Sequence, residues 1–144
     1  MLTKTLLSCL LAVQFGCGNV SGSSPGLSHA VASFDCGPAD GPATGIMLAG
    51  EPFSPAQPPF PYVRVTILRS VTELAGRSFH IGDEAGAWYG RGPSSQDEAS
   101  AGTIQIDTVD ADMTIHGVLD LRFPSRRVLT GFSAQWRQSN VTCG

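Results

Sequence analysis

The sequence predicts one small all-β domain, either a single antiparallel sandwich or a partly open barrel of about seven short strands. Several segments alternate apolar and polar residues with a period of two, which suits strands and not helices. The chain has 17 glycines and 10 prolines, which favour turns over long helices. Its 144 residues allow one domain with a modest core.

The predicted domain covers residues 29–144. Its amino-terminal half contains short strands and irregular connections. Residues 29–36 form a first strand, 37–45 are turn-like, and 46–49 form a short apolar segment. Five prolines between Pro52 and Pro61 predict an irregular surface loop, because proline has no ladder donor.

The middle of the chain contains the next predicted strands. In 62–68, three alternate apolar side chains share one face, namely Val63, Val65 and Ile67. Segments 78–81 and 87–90 flank a glycine-rich turn and predict a hairpin. Ser95 and Glu98 predict a single capped helical turn. Within this region Trp88 and Tyr89 are adjacent, so one of the two rings faces outward and is available to a sugar ring or a partner surface.

The carboxyl third has the clearest alternation. Residues 101–109 place Ile104 and Ile106 inward. The alternation continues in two further segments on either side of the turn 124–126. It predicts two strands whose apolar faces form the centre of the core. Their inward residues are Met113, Ile115, Gly117, Leu119, Leu121 and Phe123 in the first strand, and Val128, Thr130, Phe132, Ala134 and Trp136 in the second.

The first residues predict a secretory signal peptide. Lys4 supplies a positive charge, residues 6–13 are apolar, and small residues follow. The apolar run is too short to span a bilayer, which needs about 20 residues. We therefore expect an exported protein.

The end of this leader resembles the cleavage site of bacterial lipoproteins, because Gly16 and Cys17 match a small residue before a lipidated cysteine. The resemblance implies a signal peptide over 1–17, lipidation of Cys17, and a membrane anchor. Gly18 in place of an acidic residue then implies the outer membrane. Residues 18–28 predict a flexible tether. The alternative is ordinary cleavage near Gly18 or Gly22, which leaves the protein in the periplasm or outside the cell.

Segment 113–136 is also similar to the closing strand pair of small bacterial lipoprotein domains that mostly lack an assigned function. A strand with glycine and alternating large apolar residues, as around Gly117, pairs there with one that reads roughly Leu-x-Gly-x-Phe-x-Ala, which residues 129–134 resemble. The similarity implies a fold and a compartment but no activity.

Two cysteines follow the tether, Cys36 and Cys143, and an exported chain predicts that they form a disulfide. Loop-closure theory gives such a bridge about 4–5 kcal/mol, as an upper estimate. Neither cysteine has a neighbouring His or Cys of the kind that a zinc site or a thiol nucleophile needs.

The remaining composition offers little chemistry. The formal net charge of −3 disfavours nucleic-acid binding. The histidines, His29, His80 and His116, have no metal-ligand spacing, and no Gly-x-Ser-x-Gly motif occurs. Gly90-Arg91-Gly92 lacks the lysine of a phosphate-binding loop. We therefore expect no cofactor.

The sequence thus predicts a non-catalytic, lipid-anchored β-domain with a structural or surface-binding role. The alternative is a Ca²⁺-dependent binding domain or a hydrolase that uses acidic loop residues. Asp107, Asp110 and Asp112 cluster at a strand end and are the candidate calcium ligands. Asp83, Glu84 and Asp120 are the candidate carboxylates for glycoside hydrolysis.

Overall fold

The computed structural model describes residues 26–144, which form nine β-strands and two 3-10 turns. The strands are β1 (His29–Cys36), β2 (Pro42–Ala49), β3 (Tyr62–Ile67), β4 (Arg77–His80), β5 (Ala85–Gly92), β6 (Ser95–Glu98), β7 (Ala101–Val109), β8 (Ile115–Phe123) and β9 (Arg126–Trp136). The 3-10 turns cover Pro38–Asp40 and Val71–Glu73. The predicted all-β class is confirmed.

These strands form one mixed sheet in the order β4-β7-β8-β9-β1-β2-β3-β5-β6, curled into an open half-barrel. Strand β9 returns beside β1 and runs parallel to it. The other neighbouring pairs are antiparallel. The prediction holds in part: the curled sheet agrees with a partly open barrel and not with a sandwich, but it has nine strands where about seven were predicted, and one of its strand pairs is parallel.

The core lies against the inner face of this sheet, where alternate residues of the long strands meet. Val63, Val65 and Ile67 of β3 are fully buried there, as predicted. Most inward residues of β8 and β9 join the same cluster, and Trp136 packs at its margin. The members from these two strands are Ile115, Leu119, Leu121, Phe123, Val128, Phe132 and Ala134. Thr130 is only partly buried, and Met113 lies outside the core. It is 40% exposed and has a φ of 62°, because it lies in the turn before β8.

The hairpin predicted between segments 78–81 and 87–90 is wrong. Strand β4 pairs with β7, where Phe79 lies opposite Ile104. Strand β5 pairs instead with β3, so that Ala87 lies opposite Val65 on the buried face. Strands joined by a short glycine turn are usually neighbours. Here each of the two strands instead pairs with another strand of the sheet, where its apolar side chains are buried.

The capped helical turn predicted at Ser95 and Glu98 is also wrong, because these residues bound strand β6. Pro93 and Ser94 form a two-residue turn that returns the chain along β5. The capping box occurs earlier, at Ser70, whose backbone N–H donates to the Glu73 carboxylate at 3.2 Å. Both segments carry the Ser-x-x-Glu pattern. They differ in that Ser95–Glu98 pairs with strand β5.

The carboxyl-terminal tail closes the domain. After β9 the chain continues beside β1, since Arg137 N donates to Ala32 O at 2.7 Å. The predicted disulfide is confirmed: it joins Cys36 to Cys143, with 5.6 Å between their Cα atoms. At the other end Leu27, which the sequence places in the tether, is buried in the core.

Candidate functional site

The outer face of the sheet has an aromatic surface at Trp88. This residue lies on β5, opposite Arg64 of β3, and is partly exposed. Its ring lies across Gly86, where an added Cβ would come within 2.9 Å of the Trp88 ring. Tyr89, the adjacent aromatic residue, points the other way and is 6% exposed. The expectation that one of the two rings faces outward is confirmed, and that ring is Trp88.

A polar network lies beside Trp88 and is centred on Asp35 of β1. Arg64 Nη2 donates to the Asp35 carboxylate at 3.0 Å, and Thr66 Oγ1 donates to the same oxygen at 2.8 Å. The backbone N–H of Cys36 donates to the other oxygen at 2.9 Å. Burial raises the pKa of Asp35, but the hydrogen bonds from Arg64, Thr66 and Cys36 outweigh it and hold that pKa below its ordinary value.

These groups line a cleft of about 580 Å³, which we call the Trp88 cleft and define by Asp35, Arg64, Thr66, Trp88 and Gln96. Residues of β1, β3, β5 and β6 line it, and these strands belong to one run of the sheet, β1-β2-β3-β5-β6. The side chains that contribute to it are therefore held on rigid strands, as binding sites require.

A second depression of about 460 Å³ adjoins this cleft and shares Asp35 and Arg64 with it. Its floor contains Ser33 and Gly45, which are cross-strand partners of β1 and β2. Both residues are small, so their side chains occupy little of the depression. Its walls come from the tail 138–141 and from the proline-rich loop 54–56.

Further aromatic side chains lie along the same outer face. Tyr62 is the cross-strand partner of Gly90, and an added Cβ on Gly90 would come within 2.4 Å of the Tyr62 ring. Phe60, which is 45% exposed, packs with Tyr62 at a ring-centroid distance of 5.5 Å. Trp88 and Tyr62 thus each lie close over a glycine of β5.

A third feature lies on the other half of the outer face. Asp110, His116 and Ser133 form a hydrogen-bonded trio: His116 Nδ1 is 2.8 Å from Ser133 Oγ, and His116 Nε2 is 2.8 Å from Asp110 Oδ2. His116 and Ser133 are cross-strand partners of β8 and β9, and Asp110 belongs to the turn before β8. The trio fastens this turn to the sheet.

The candidate calcium ligands are each engaged separately. Asp107 accepts from Gln105 Nε2 at 2.9 Å, and Asp112 accepts from Thr114 N at 3.0 Å. Hydrogen bonds from Thr114 lower the pKa of Asp112. Within residues 26–144, no group of three or more His, Cys, Asp or Glu side chains is arranged to hold a metal ion.

The candidate hydrolase carboxylates also have separate partners. Glu84 forms an ion pair with Arg69. Asp120 accepts two hydrogen bonds from Arg127, at 2.7 and 2.8 Å, which lower its pKa. Asp83 instead lines the Trp88 cleft.

Sequence analysis did not identify Asp35, Arg64 and Thr66 as site residues. The alternation of 62–68 puts Arg64 and Thr66 on the face opposite Val63, Val65 and Ile67, and this is the signal that the sequence contains for them. The lipidation candidate Cys17 lies outside the described residues, so its environment adds nothing to the prediction.

Comparisons with protein families, with curated proteins and with solved structures found no match to this chain. Within residues 26–144, no helix has the length and apolar character needed to cross a membrane.

Proposed function

We propose that this protein is an exported, lipid-anchored and non-catalytic β-domain that binds a surface partner through the outer face of its sheet. The Trp88 cleft is the observation that carries the proposal. It combines a partly exposed aromatic ring with fixed polar groups, and such concave sites with a few convergent polar groups are typical of binding sites. Tryptophan and arginine are also the residues most enriched at binding hot spots.

Binding is tested by sedimenting the full-length protein, in detergent, with the detergent-insoluble fraction of cell envelopes from the source organism. We expect Arg64→Ala combined with Trp88→Ala to lower the bound fraction at least about tenfold, as loss of hot-spot residues does. Arg127→Ala is the matched control, because Arg127 forms a comparable exposed ion pair with Asp120 elsewhere on the outer face. The proposal is contradicted if the parent protein, the double variant and Arg127→Ala bind equally, or if the parent protein does not bind.

The anchor is tested separately. We propose that Cys17 becomes the lipidated amino terminus, at the outer membrane or cell surface, and that residues 18–28 connect it to the domain. The support is the Gly16-Cys17 pair and the glycine- and serine-rich sequence after it. We expect the parent protein to partition into detergent and Cys17→Ser to remain in the aqueous phase. Equal partitioning of both proteins contradicts lipidation, and leaves ordinary cleavage into the periplasm or medium.

The Asp110–His116–Ser133 trio supports a second candidate function, hydrolysis with Ser133 as nucleophile and His116 as base. The same three side chains also hold the turn before β8 against the sheet, which accounts for the trio without catalysis. The binding proposal therefore predicts that Ser133→Ala hydrolyses p-nitrophenyl acetate at the parent rate. A rate that falls more than about a hundredfold would favour the hydrolase, since loss of a nucleophile costs far more than that.

A further inference from the structure

We infer that the Trp88 cleft binds a neutral saccharide. This inference rests on the proposed binding function and specifies the ligand class for the same site. A pyranose ring has one face of C–H groups and a rim of hydroxyls, so its recognition requires an aromatic surface next to polar side chains. Trp88, Asp35, Arg64, Thr66 and Gln96 provide both kinds of contact in one cleft.

The aromatic part of the cleft is fixed before any ligand arrives. The Trp88 ring lies across Gly86, which has no side chain to lift it from the sheet. The end of the ring therefore lies close to the strand at Gly86, and the partly exposed side chain borders the cleft. A ring held in this way loses little conformational freedom when a ligand stacks on it.

The polar part of the cleft retains hydrogen-bonding capacity. A carboxylate has about four acceptor sites, and three described donors reach Asp35. A guanidinium has five N–H donors, and the described residues engage one of those of Arg64, which is 47% exposed. Hydroxyl groups both donate and accept, so a sugar satisfies the acceptor and the donors together.

The charges of the cleft favour a neutral ligand. Asp35 and Arg64 form an ion pair and offset each other. Asp83 also lines the cleft, and Glu98 lies opposite Trp88 on β6. These carboxylates repel a uronic acid or a sulfated sugar.

The position of the cleft on the sheet face disfavours an extended peptide. Peptides that bind sheets usually add a strand to a free edge. Here β5 is already paired on both sides, with β3 and β6. Tyr62 and Phe60 lie further along the same outer face and extend the aromatic surface. An oligosaccharide would contact these rings in addition to Trp88.

The test is saturation-transfer NMR on the full-length protein in detergent, with cellotetraose, chitotetraose, maltotetraose and xylotetraose as neutral probes and tetragalacturonate as the anionic probe. We expect transfer to the C–H protons of at least one neutral probe and none to tetragalacturonate. Trp88→Ala should weaken binding at least about tenfold, since it removes an aromatic contact from a small ligand. Circular dichroism of each variant establishes that it is folded.

The two tryptophans provide an internal control, because Trp136 packs at the margin of the core. In Trp136→Phe, the remaining Trp88 fluorescence should shift when the neutral probe binds. In Trp88→Phe, which keeps an aromatic ring and therefore the fold, the remaining Trp136 fluorescence should not shift.

Two outcomes overturn the inference. One is no transfer to any neutral probe at millimolar concentration, and the other is equal binding by the parent and Trp88→Ala. If envelope binding still depends on Arg64 and Trp88 in either case, the proposed binding function stands and the ligand is of another class, such as a peptide. If envelope binding is also absent, both the ligand class and the proposed function are wrong.

Discussion

Asp35 is the residue on which the polar half of the Trp88 cleft depends, and its ionisation gives a prediction about pH. Hydrogen bonds lower the folded pKa of Asp35 below its ordinary value of 3.8. The carboxylate therefore stabilises the folded state above that ordinary value, and the contribution is lost as pH falls through the folded pKa. We expect Asp35→Asn to lower the free energy of unfolding at neutral pH, and the difference from the parent to shrink in acid.

Urea unfolding at a series of pH values measures this difference. Asp40→Asn is the control, because Asp40 is an exposed carboxylate of the first 3-10 turn. Its substitution removes the same charge from a site away from the Asp35 network. A difference for Asp35→Asn that is constant from neutral to acidic pH would contradict the role given to its ionised form.

At the scale of elements, the β8–β9 pair should dominate stability. Phe132 of β9 is 8% exposed, and its ring approaches Gly117 on the partner strand β8. We expect Phe132→Ala to lower the free energy of unfolding by about 3–5 kcal/mol, as large cavities in cores do. Val118→Ala is the control, because Val118 is 37% exposed on the outer face, where changes usually stay within about 0.5 kcal/mol. Denaturant unfolding of both variants measures the contrast, and equal losses would place the core elsewhere.

The strands were predictable from the sequence to different extents, and the reason lies in what alternation encodes. A period of two reports which face a side chain occupies, so β1, β3 and β7 to β9 were located closely and their inward residues identified. It does not report which strands are neighbours. For this reason the parallel contact of β9 with β1 and the separation of β4 from β5 were missed. The polar sequence of β6 has no apolar alternation at all, and its pairing with β5 identifies it as a strand.

The whole molecule determines where the candidate site forms, and this part was the least predictable. Asp35, Arg64 and Trp88 belong to β1, β3 and β5, which come within four successive strands of the sheet, β1-β2-β3-β5, because β4 lies at the opposite edge. Their spacing along the chain contains no trace of this arrangement. The adjacent pair Trp88-Tyr89 did predict one outward ring, because adjacent strand residues face opposite ways.

The disulfide connects the two ends of this arrangement, since Cys36 ends β1 and Cys143 lies in the tail. It closes a loop of 107 residue positions, and loop-closure theory gives about 4–5 kcal/mol as the upper limit of its stabilisation.

We expect the double variant Cys36→Ser, Cys143→Ser to lose up to this amount of its free energy of unfolding, as measured by denaturant unfolding. The parent protein in reductant should match the double variant, which serves as the control for side effects of the serines. In the protein isolated from its native cells, both cysteines should resist alkylation until reductant is added. Because Cys36 also borders the Trp88 cleft, the double variant should bind envelopes more weakly than Arg127→Ala does. Reactive thiols in the protein isolated from its native cells, or unchanged stability on reduction, would show that the domain is closed by its strand contacts alone.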